Sequence, residues 1–448
     1  MTILLLFCVI AGIILLTAVW KIHPLPVLIL GAFLFGIFHG DGVLETLSMI
    51  SAGFGNTIRG IGLIIILGTM IGVFMEQRGA LKTIAEKIIG LLGKKRTPFA
   101  MSLVGYIVST CIFCDSAYII LIGIWKKIGK MAKLPLAVGA VALSMGLFSS
   151  HCFIPPMPGP VAALTVLNAE FGKVLFFAAI SAFAGAVAGY FYAVFAGRNE
   201  ILEELPEETE AEKEETPVFK HHWTIAFLPI IVPLFLIGTA SIAGIFKNEL
   251  SAGVYQLLKI AGNPIVALFF GAVIAIFLIG KWERNELSTD GLIGKAIIGA
   301  ANILMITGAG GAFGEVLKKV DFKYLIPENI GSIGVFAILI PFGFSAILKI
   351  AQGSSTLAIL TSASAAVPLL EPLGLTSPTM RALTCCAVCC GAMIVSHTND
   401  SYFWIVTKFS GMNVRQGLKL QTIGSLVSGI AAMTVLLISG LIFTGIIS

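Results

Sequence analysis

Five charged or imidazole side chains interrupt long apolar stretches of this chain: Asp115, His151, Lys349, His397 and Asp400. A charge at the centre of a bilayer costs about 3 kcal/mol even on the mildest scale, so each of these residues is a candidate functional site. A buried lysine can neutralise an anion, and carboxylates and imidazoles can take up or release protons. Together these residue types predict the binding of a small organic acid, with titratable groups available if protons drive its uptake.

Two short runs in the second half of the chain combine charge with amides and hydroxyls. The run 349–356 offers a cation, an amide, a glycine that permits a tight turn, and three hydroxyl groups: Lys349, Gln352, Gly353, Ser354, Ser355 and Thr356. A helix that begins after the glycine would add backbone N–H donors for an anion. The run 396–400 offers a similar mixture: Ser396, His397, Asn399 and Asp400. We predict that these residues bind the substrate together with Asp115, Ser116 and His151 from the first half.

The same residues bear on which ion, a proton or sodium, drives the transport of the substrate. Four of them are candidates for the proton acceptor: Asp115 and Asp400 come first, with His151 and His397 behind them, and the sequence does not choose among them. A structural alternative is that Asp115 and Lys349 only pair with each other or with the backbone and hold the hairpins. A sodium-coupled alternative also stays open, because unwound backbone carbonyls near His151 and Asn399 could bind a cation.

The composition places these residues in a membrane protein. The chain is 57% hydrophobic and 12% charged, with a mean hydropathy of +0.99, whereas soluble domains carry roughly 25% charged residues. Apolar stretches on the order of 20 residues, long enough to span a bilayer, recur from residues 2–20 to residues 426–447. We therefore predict an all-α polytopic membrane protein. The net charge of +5 comes from loops, so a nucleic-acid partner is not expected, and the first stretch reads as a retained transmembrane helix.

Proline predicts a break inside one of the apolar helices. Pro155, Pro156, Pro158 and Pro160 lack the N–H group that a helix needs, so the helix must open within residues 149–160. Irregular backbone at membrane depth is tolerated only inside protein or along a water-filled cavity. Carriers use the ends of such half-helices to hold ions and solutes.

An internal repeat organises the rest of the chain. Residues 60–76 resemble residues 299–315 in register, with Gly72, Phe74 and Glu76 matching residues 311, 313 and 315. This similarity predicts two repeats, 1–198 and 222–448, joined by an acidic linker at 199–221. Each repeat contains an interrupted apolar segment (109–116 or 349–356), then a helix with a polar break (149–160 or 396–401).

The distribution of basic residues favours an inverted arrangement of the two repeats. The interrupted segments could each be a full crossing or a re-entrant hairpin. If both are re-entrant, each repeat crosses the membrane an odd number of times and the second repeat is inverted. On that model most of the 29 lysines and arginines lie on one face, which the positive-inside rule makes cytoplasmic. Both termini are then expected outside and the linker in the cytoplasm.

Eight cysteines raise the alternative of a membrane enzyme. Cys111 and Cys114 form a CxxC pair, and four more stand together in an apolar segment: Cys385, Cys386, Cys389 and Cys390. With His151 and His397 they could form a metal or redox centre. Small apolar side chains that let membrane helices approach closely are the simpler explanation. We expect no metal and no other cofactor.

Five sequence blocks resemble the signature blocks of the gluconate permease family, in the same order along nearly the whole chain. They are Phe113-Cys-Asp-Ser-Ala-Tyr118, Ser150-His-Cys-Phe-Ile-Pro-Pro-Met-Pro-Gly-Pro160, Ala309-Gly-Gly-Ala-Phe313, Ala351-Gln-Gly-Ser-Ser-Thr356 and Ser396-His-Thr-Asn-Asp-Ser-Tyr-Phe-Trp404. The resemblance implies a place in the wider ion transporter superfamily, with inverted repeats, re-entrant hairpins and an elevator-like movement. It also implies a homodimer in the bacterial inner membrane that carries gluconate-like acids by proton symport.

Two residues depart from the family pattern. Asp115 stands where gluconate-type members carry a glutamate, and Lys349 stands where they carry an arginine. Both changes keep the charge, but the shorter acid changes the reach and lysine lacks the bidentate geometry of arginine. The substrate therefore stays open among gluconate, other sugar acids, glycerate and D-serine.

Overall fold

Helices account for nearly all of the described chain, which confirms the predicted all-α class. The computed structural model describes residues 2–93, 96–203, 219, 222–246, 249–277, 284–319 and 328–445. The α-helices in these ranges are α1 Thr2–Ile14, α2 Pro24–His39, α3 Val43–Gln77, α4 Ala80–Leu92, α5 Thr97–Val108, α6 Cys114–Met131, α7 Leu136–Phe153, α8 Pro158–Val166, α9 Phe171–Gly197, α10 Trp223–Ile245, α11 Ala252–Ala261, α12 Pro264–Phe277, α13 Leu292–Leu317, α14 Leu339–Gln352, α15 Ser355–Ala366, α16 Pro378–Met393, α17 Ser401–Ser410, α18 Val414–Gly417 and α19 Ile423–Gly445.

The helices are those of a multi-pass membrane protein. Seven helical stretches in the described ranges are long and apolar enough to cross a bilayer, or eight if α11 and α12, which are bent by 58°, form one span. Shorter apolar helices, among them α2, α5 and α16, accompany them. Most of the predicted linker, residues 204–218 and 220–221, lies outside the described residues.

Two helices are interrupted near the polar runs of the sequence. The first break, residues 154–157, separates α7 from α8, and α8 begins with Pro158 at its first position, where the missing N–H has no intrahelical partner to lose. The second break, residues 394–400, separates α16 from α17. The carboxylate of Asp400 caps α17 by accepting a hydrogen bond from the Tyr402 N–H at 3.1 Å.

Two helical hairpins supply the other interruptions. The first hairpin consists of α5 and α6 and turns at residues 109–113, and the second consists of α14 and α15 and turns at Gly353 and Ser354. Gly353 has φ +79°, a left-handed conformation that glycine adopts without penalty. Ser354 caps α15, with its Oγ accepting from the Leu357 N–H at 3.3 Å. The helix-ending glycine and the capping serine therefore make the second turn only two residues long.

Each hairpin packs against the broken helix of the other half of the chain. In the first hairpin, α6 contacts α17, and the hydroxyls of Tyr118 and Ser410 are hydrogen-bonded at 2.6 Å. In the second, α15 contacts α8, and Gly159 lies so close to Ile359 that a side chain there would meet it at 2.9 Å. This exchange brings the two hairpin turns and the two breaks into one region.

The long helices α3 and α13 form an antiparallel pair beside this region. A Cβ atom on Gly53 would lie 2.6 Å from the carbonyl oxygen of Gly311, so the two backbones are in close contact. Ion pairs join the two helices near both ends: Lys319 pairs with Glu45 at one end, and Arg78 pairs with Glu286 at the other. Helix α3 also packs on the first break, because Gly68 lies against Pro156.

The beginning of the acidic linker is docked onto the second half. The Glu200 carboxylate accepts hydrogen bonds from Lys419 Nζ at 2.7 Å and Gln416 Nε2 at 3.1 Å, and these donors hold the pKa of Glu200 below its usual value. The Glu203 N–H donates to the Gly411 carbonyl at 2.9 Å. Gly411 ends α17 with φ +78°, and a side chain there would collide with the Glu203 carbonyl.

We predict that Gly411→Ala lowers the free energy of unfolding by about 2 kcal/mol, because alanine is strained at positive φ and also lacks space. The measurement is the thermal midpoint of the purified protein in detergent, expected to fall by a few degrees. Gly90→Ala is the matched control, since Gly90 lies inside α4 and a Cβ atom added there would have no other heavy atom within 4 Å. Equal midpoints for the two variants would contradict the prediction.

Candidate functional site

A buried ion pair between Lys349 and Asp400 stands at the centre of the hairpin and break region. The Lys349 Nζ lies 2.6 Å from Asp400 Oδ2 and 2.5 Å from the Gly353 carbonyl oxygen, and it stands 5.4 Å from the centroid of the Phe148 ring. Lys349 is 0% exposed and Asp400 is 5% exposed. Where burial is described, these are the two formally charged side chains that are buried. The pair is therefore neutral as a whole and is surrounded by protein.

Both charges lie at helix ends that stabilise them. Lys349 belongs to the last turn of α14, where the carbonyl groups concentrate partial negative charge. Asp400 lies at the N-terminus of α17, where the N–H groups concentrate partial positive charge. The turn at Gly353 and the second break therefore contribute to the electrostatics of the pair as well as to its position.

The rest of the second break holds the pair in place. The Ser396 hydroxyl donates to Asp400 Oδ2 at 2.5 Å. His397 Nε2 and Asn399 Nδ2 both donate to the Ile350 carbonyl oxygen, at 3.0 and 2.8 Å. These two predicted binding residues thus join the second break to the end of α14. Gly353 is pressed against the Asn399 backbone, where a side chain would not fit.

The first half of the chain contributes Asp115 and His151. Both interact electrostatically with Lys349 and Asp400, and the His151 ring lies 5.9 Å from the Phe113 ring. Asp115 Oδ1 and His151 Nδ1 are buried and have no hydrogen-bond partner among the residues that the structure describes. Lys349 pairs with Asp400 and with the Gly353 backbone carbonyl, so the backbone contact of the structural alternative is present, whereas the carboxylate partner is Asp400 rather than Asp115.

The other predicted residues of the second hairpin differ in their surroundings. Both polar atoms of the Gln352 amide are buried and find no hydrogen-bond partner in the described ranges. Gln352 is one helical turn beyond Lys349 on the same face of α14. Ser355 is buried, Thr356 is half-buried, and Ser354 is exposed and used as a helix cap. On the first hairpin, Ser116 is half-buried in the first turn of α6. Burying an amide without a partner costs about 1–3 kcal/mol, so Gln352 is suited to contact a ligand.

Two aromatic residues belong to this region and were missed from sequence. Tyr402 stacks on Phe148 at 5.1 Å between ring centroids and donates its hydroxyl to the Ser144 carbonyl at 3.3 Å. Phe148 also faces the ammonium group of Lys349. Tyr402 follows Asp400 by two residues in one sequence block, and that proximity was the available signal. Phe148 has no such signal, because phenylalanine is common throughout the chain.

The cysteines do not form a metal centre within the described residues. No group of three or more His, Cys, Asp and Glu side chains there is arranged to hold a metal ion. The Cys385 and Cys386 thiols instead lie near the carbonyl oxygens of Pro160 and Val174, at 3.9 and 3.7 Å. Their position between α16 and its neighbours agrees with the packing role expected of small side chains.

Comparison with known proteins identifies the family. Residues 1–442 match the sequence model described as GntP family permease. The chain belongs to the GntP permease family. This GntP permease is 28% identical to a gluconate permease of Pseudomonas aeruginosa, over 98% of this chain and 96% of that protein. It is 30% identical to the Gnt-II system L-idonate transporter of Escherichia coli, over 90% and 91% of the two chains. The family is one of permeases, so the protein is a transporter and not an enzyme.

A solved structure shares the fold. The crystal structure of the Alcanivorax borkumensis YdaH transporter, described as having an unusual topology, matches the GntP permease with a TM-score of 0.67. The match covers 91% of this chain and 90% of that one, at 14% sequence identity. At this identity the likeness establishes the fold alone.

We predict that removing one member of the buried pair destabilises the GntP permease more than removing both. Lys349→Gln leaves Asp400 charged and buried, and such a change costs roughly 3–5 kcal/mol. The double variant Lys349→Gln with Asp400→Asn buries two neutral groups and should recover most of that loss. The thermal midpoints of the wild type, the two single variants and the double variant measure the coupling. Additive losses would show that the two charges do not depend on each other.

Proposed function

We propose that this GntP permease imports a small sugar acid together with a proton, and that Lys349 binds the carboxylate of the substrate. The observation that carries the proposal is the pairing of a fully buried lysine with Asp400 between two interrupted helical segments. A lysine in this position offers the positive charge that an anionic solute needs. Asp400 pairs with this lysine when no substrate is bound.

The pair also explains how the proton is coupled to the substrate. A substrate carboxylate can bind Lys349 only if Asp400 gives up its contact with the ammonium group. Protonation of Asp400 removes its negative charge and frees the lysine, so one proton and one carboxylate enter a neutral pair without changing its net charge. Because an uncompensated charge in the membrane interior is costly, binding of the anion without the proton is disfavoured. We propose Asp400 as the proton acceptor on this ground.

The unpartnered polar atoms around the pair support a hydroxylated substrate. Within the described residues, the Gln352 amide donor and acceptor, one Asp115 carboxylate oxygen and one His151 ring nitrogen have no hydrogen-bond partner. Hydroxyl groups donate and accept, so a sugar acid can satisfy all of these atoms. The gluconate permease and the L-idonate transporter among its relatives are named for such acids.

D-Serine is the second candidate substrate. A buried carboxylate oxygen without a partner, as on Asp115, would suit the ammonium group of an amino acid. In this case the carboxylate of D-serine binds Lys349 and its amine binds Asp115. The two candidates therefore differ in their dependence on Asp115.

We extend the proposal to the arrangement of the chain in the membrane. The two halves are inverted repeats, the hairpins are re-entrant, and the second is entered from outside. The exchange of contacts between hairpins and broken helices supports this symmetry, because α6 with α17 corresponds to α15 with α8. We propose that the protein is a homodimer in the bacterial cytoplasmic membrane, with both termini outside and the linker inside.

The proposed function predicts accumulation of labelled gluconate in proteoliposomes under an imposed pH gradient, acid outside. The same vesicles are assayed with D-serine and with a sodium gradient at constant pH. Lys349→Gln should reduce uptake at least tenfold, and Asp400→Asn should retain exchange of substrate while losing accumulation driven by the pH gradient. Lys173→Gln is the control for loss of a lysine, because Lys173 is a partly exposed residue paired with Glu170. Transport by Lys349→Gln at the wild-type rate would overturn the site, and accumulation under the sodium gradient alone would overturn proton coupling.

The proposed orientation predicts which side of the membrane exposes the linker. A cysteine introduced by Glu208→Cys should react with an impermeant thiol reagent only when the cytoplasmic side is accessible. Residue 173 lies near the start of α9, on the extracellular side of the membrane in this topology. A cysteine introduced there by Lys173→Cys should therefore react from outside. Reversal of both labelling patterns would show that the orientation is the opposite of the one proposed. Reaction of both cysteines from the same side would contradict the proposed odd number of membrane crossings.

A further inference from the structure

The second break contains a strained residue next to the ion pair. Val395 has φ +54°, which a β-branched side chain rarely adopts. Such a conformation costs about 1–3 kcal/mol and persists only where its surroundings hold it in place. The residue that follows it, Ser396, donates its hydroxyl to Asp400. The strain therefore lies directly beside the group that orients the carboxylate.

A segment 26 to 29 residues further along the chain holds the backbone of Ser396. The Ser396 N–H donates to Ser425 Oγ at 2.9 Å, and the Thr422 hydroxyl donates to the Ser396 carbonyl oxygen at 2.6 Å. Ser425 Oγ in turn donates to the Thr422 carbonyl oxygen at 2.9 Å. Both backbone polar groups of Ser396 are thus bound by hydroxyls of this segment, and its own hydroxyl remains for Asp400.

The local helix geometry explains how these hydroxyls reach the break. Residues Leu418–Thr422 form a single π-helical segment immediately before α19. A π-turn widens the helix and often accompanies a functional site. Thr422 ends this widened turn and Ser425 follows one turn later, so both side chains lie on the same side of the helix.

We propose that Thr422 and Ser425 are positioning residues of the Lys349–Asp400 site. They fix the backbone of Ser396 so that its hydroxyl donates to Asp400 while Asp400 binds Lys349. The proposal rests on the function proposed above, because its effect is on transport. Within the described part of the chain, these hydroxyls bond the Ser396 backbone and the Thr422 carbonyl rather than Lys349 or Asp400, so their proposed action is through Ser396.

Thr422→Val tests the proposal, since it removes the hydroxyl and keeps the shape of the side chain. We expect kcat/KM for the uptake of labelled gluconate into proteoliposomes to fall about tenfold, which corresponds to the loss of one hydrogen bond. Thr422→Ser, which keeps the hydroxyl, should restore uptake to within about twofold of wild type. Thr434→Val is the matched control, because Thr434 is an exposed residue of α19 whose hydroxyl donates only to the Ile430 carbonyl within the same helix.

A double-mutant cycle separates positioning from a general structural role. If Thr422 acts through Ser396, Thr422→Val should have little further effect on uptake in a Ser396→Ala background. A tenfold loss that persists in that background, or an equal loss in Thr422→Ser, would overturn the proposal. So would wild-type uptake by Thr422→Val. Absence of uptake by the wild-type protein itself would instead refute the proposed function, which distinguishes the two failures.

Discussion

The structure depends on compensating two opposite charges in the interior of a membrane protein. Lys349 and Asp400 are neutralised by each other, by the ends of α14 and α17, and by the Gly353 carbonyl and the Ser396 hydroxyl. Helix ends are available there only because both helical segments are interrupted. The Gly353 turn and the second break therefore stabilise the two charges, and the ion pair in turn joins these two interruptions to each other.

The interruptions could be predicted from the sequence because they depend on local chemistry. Proline residues between 155 and 160 cannot continue a helix, and polar runs at 349–356 and 396–400 stand out in apolar surroundings. The residue types also identified Lys349 and Asp400 as candidates. The match to the GntP permease family adds that these runs belong to a transporter, which residue chemistry alone could only suggest.

The partners of these residues could not be predicted in the same way, because they depend on the packing of distant segments. Lys349 had two possible carboxylate partners, and only the folded chain selects Asp400 over Asp115. His397 and Asn399 have side chains suited to a ligand, yet they bind the Ile350 carbonyl. The support of Ser396 comes from a π-turn, whose extra residue leaves no distinct pattern of apolar spacing in the sequence.

The ion pairs at the ends of α3 and α13 constrain how this protein can change during evolution. The same number of residues separates Glu45 from Arg78 as separates Glu286 from Lys319. One inserted or deleted residue would move a helix end by about 1.5 Å and rotate it by about 100°, and the pair at that end would be lost. An insertion or deletion in only one of these two helices would therefore separate the charged partners at one end, whereas a matching change in both helices would leave both pairs in place.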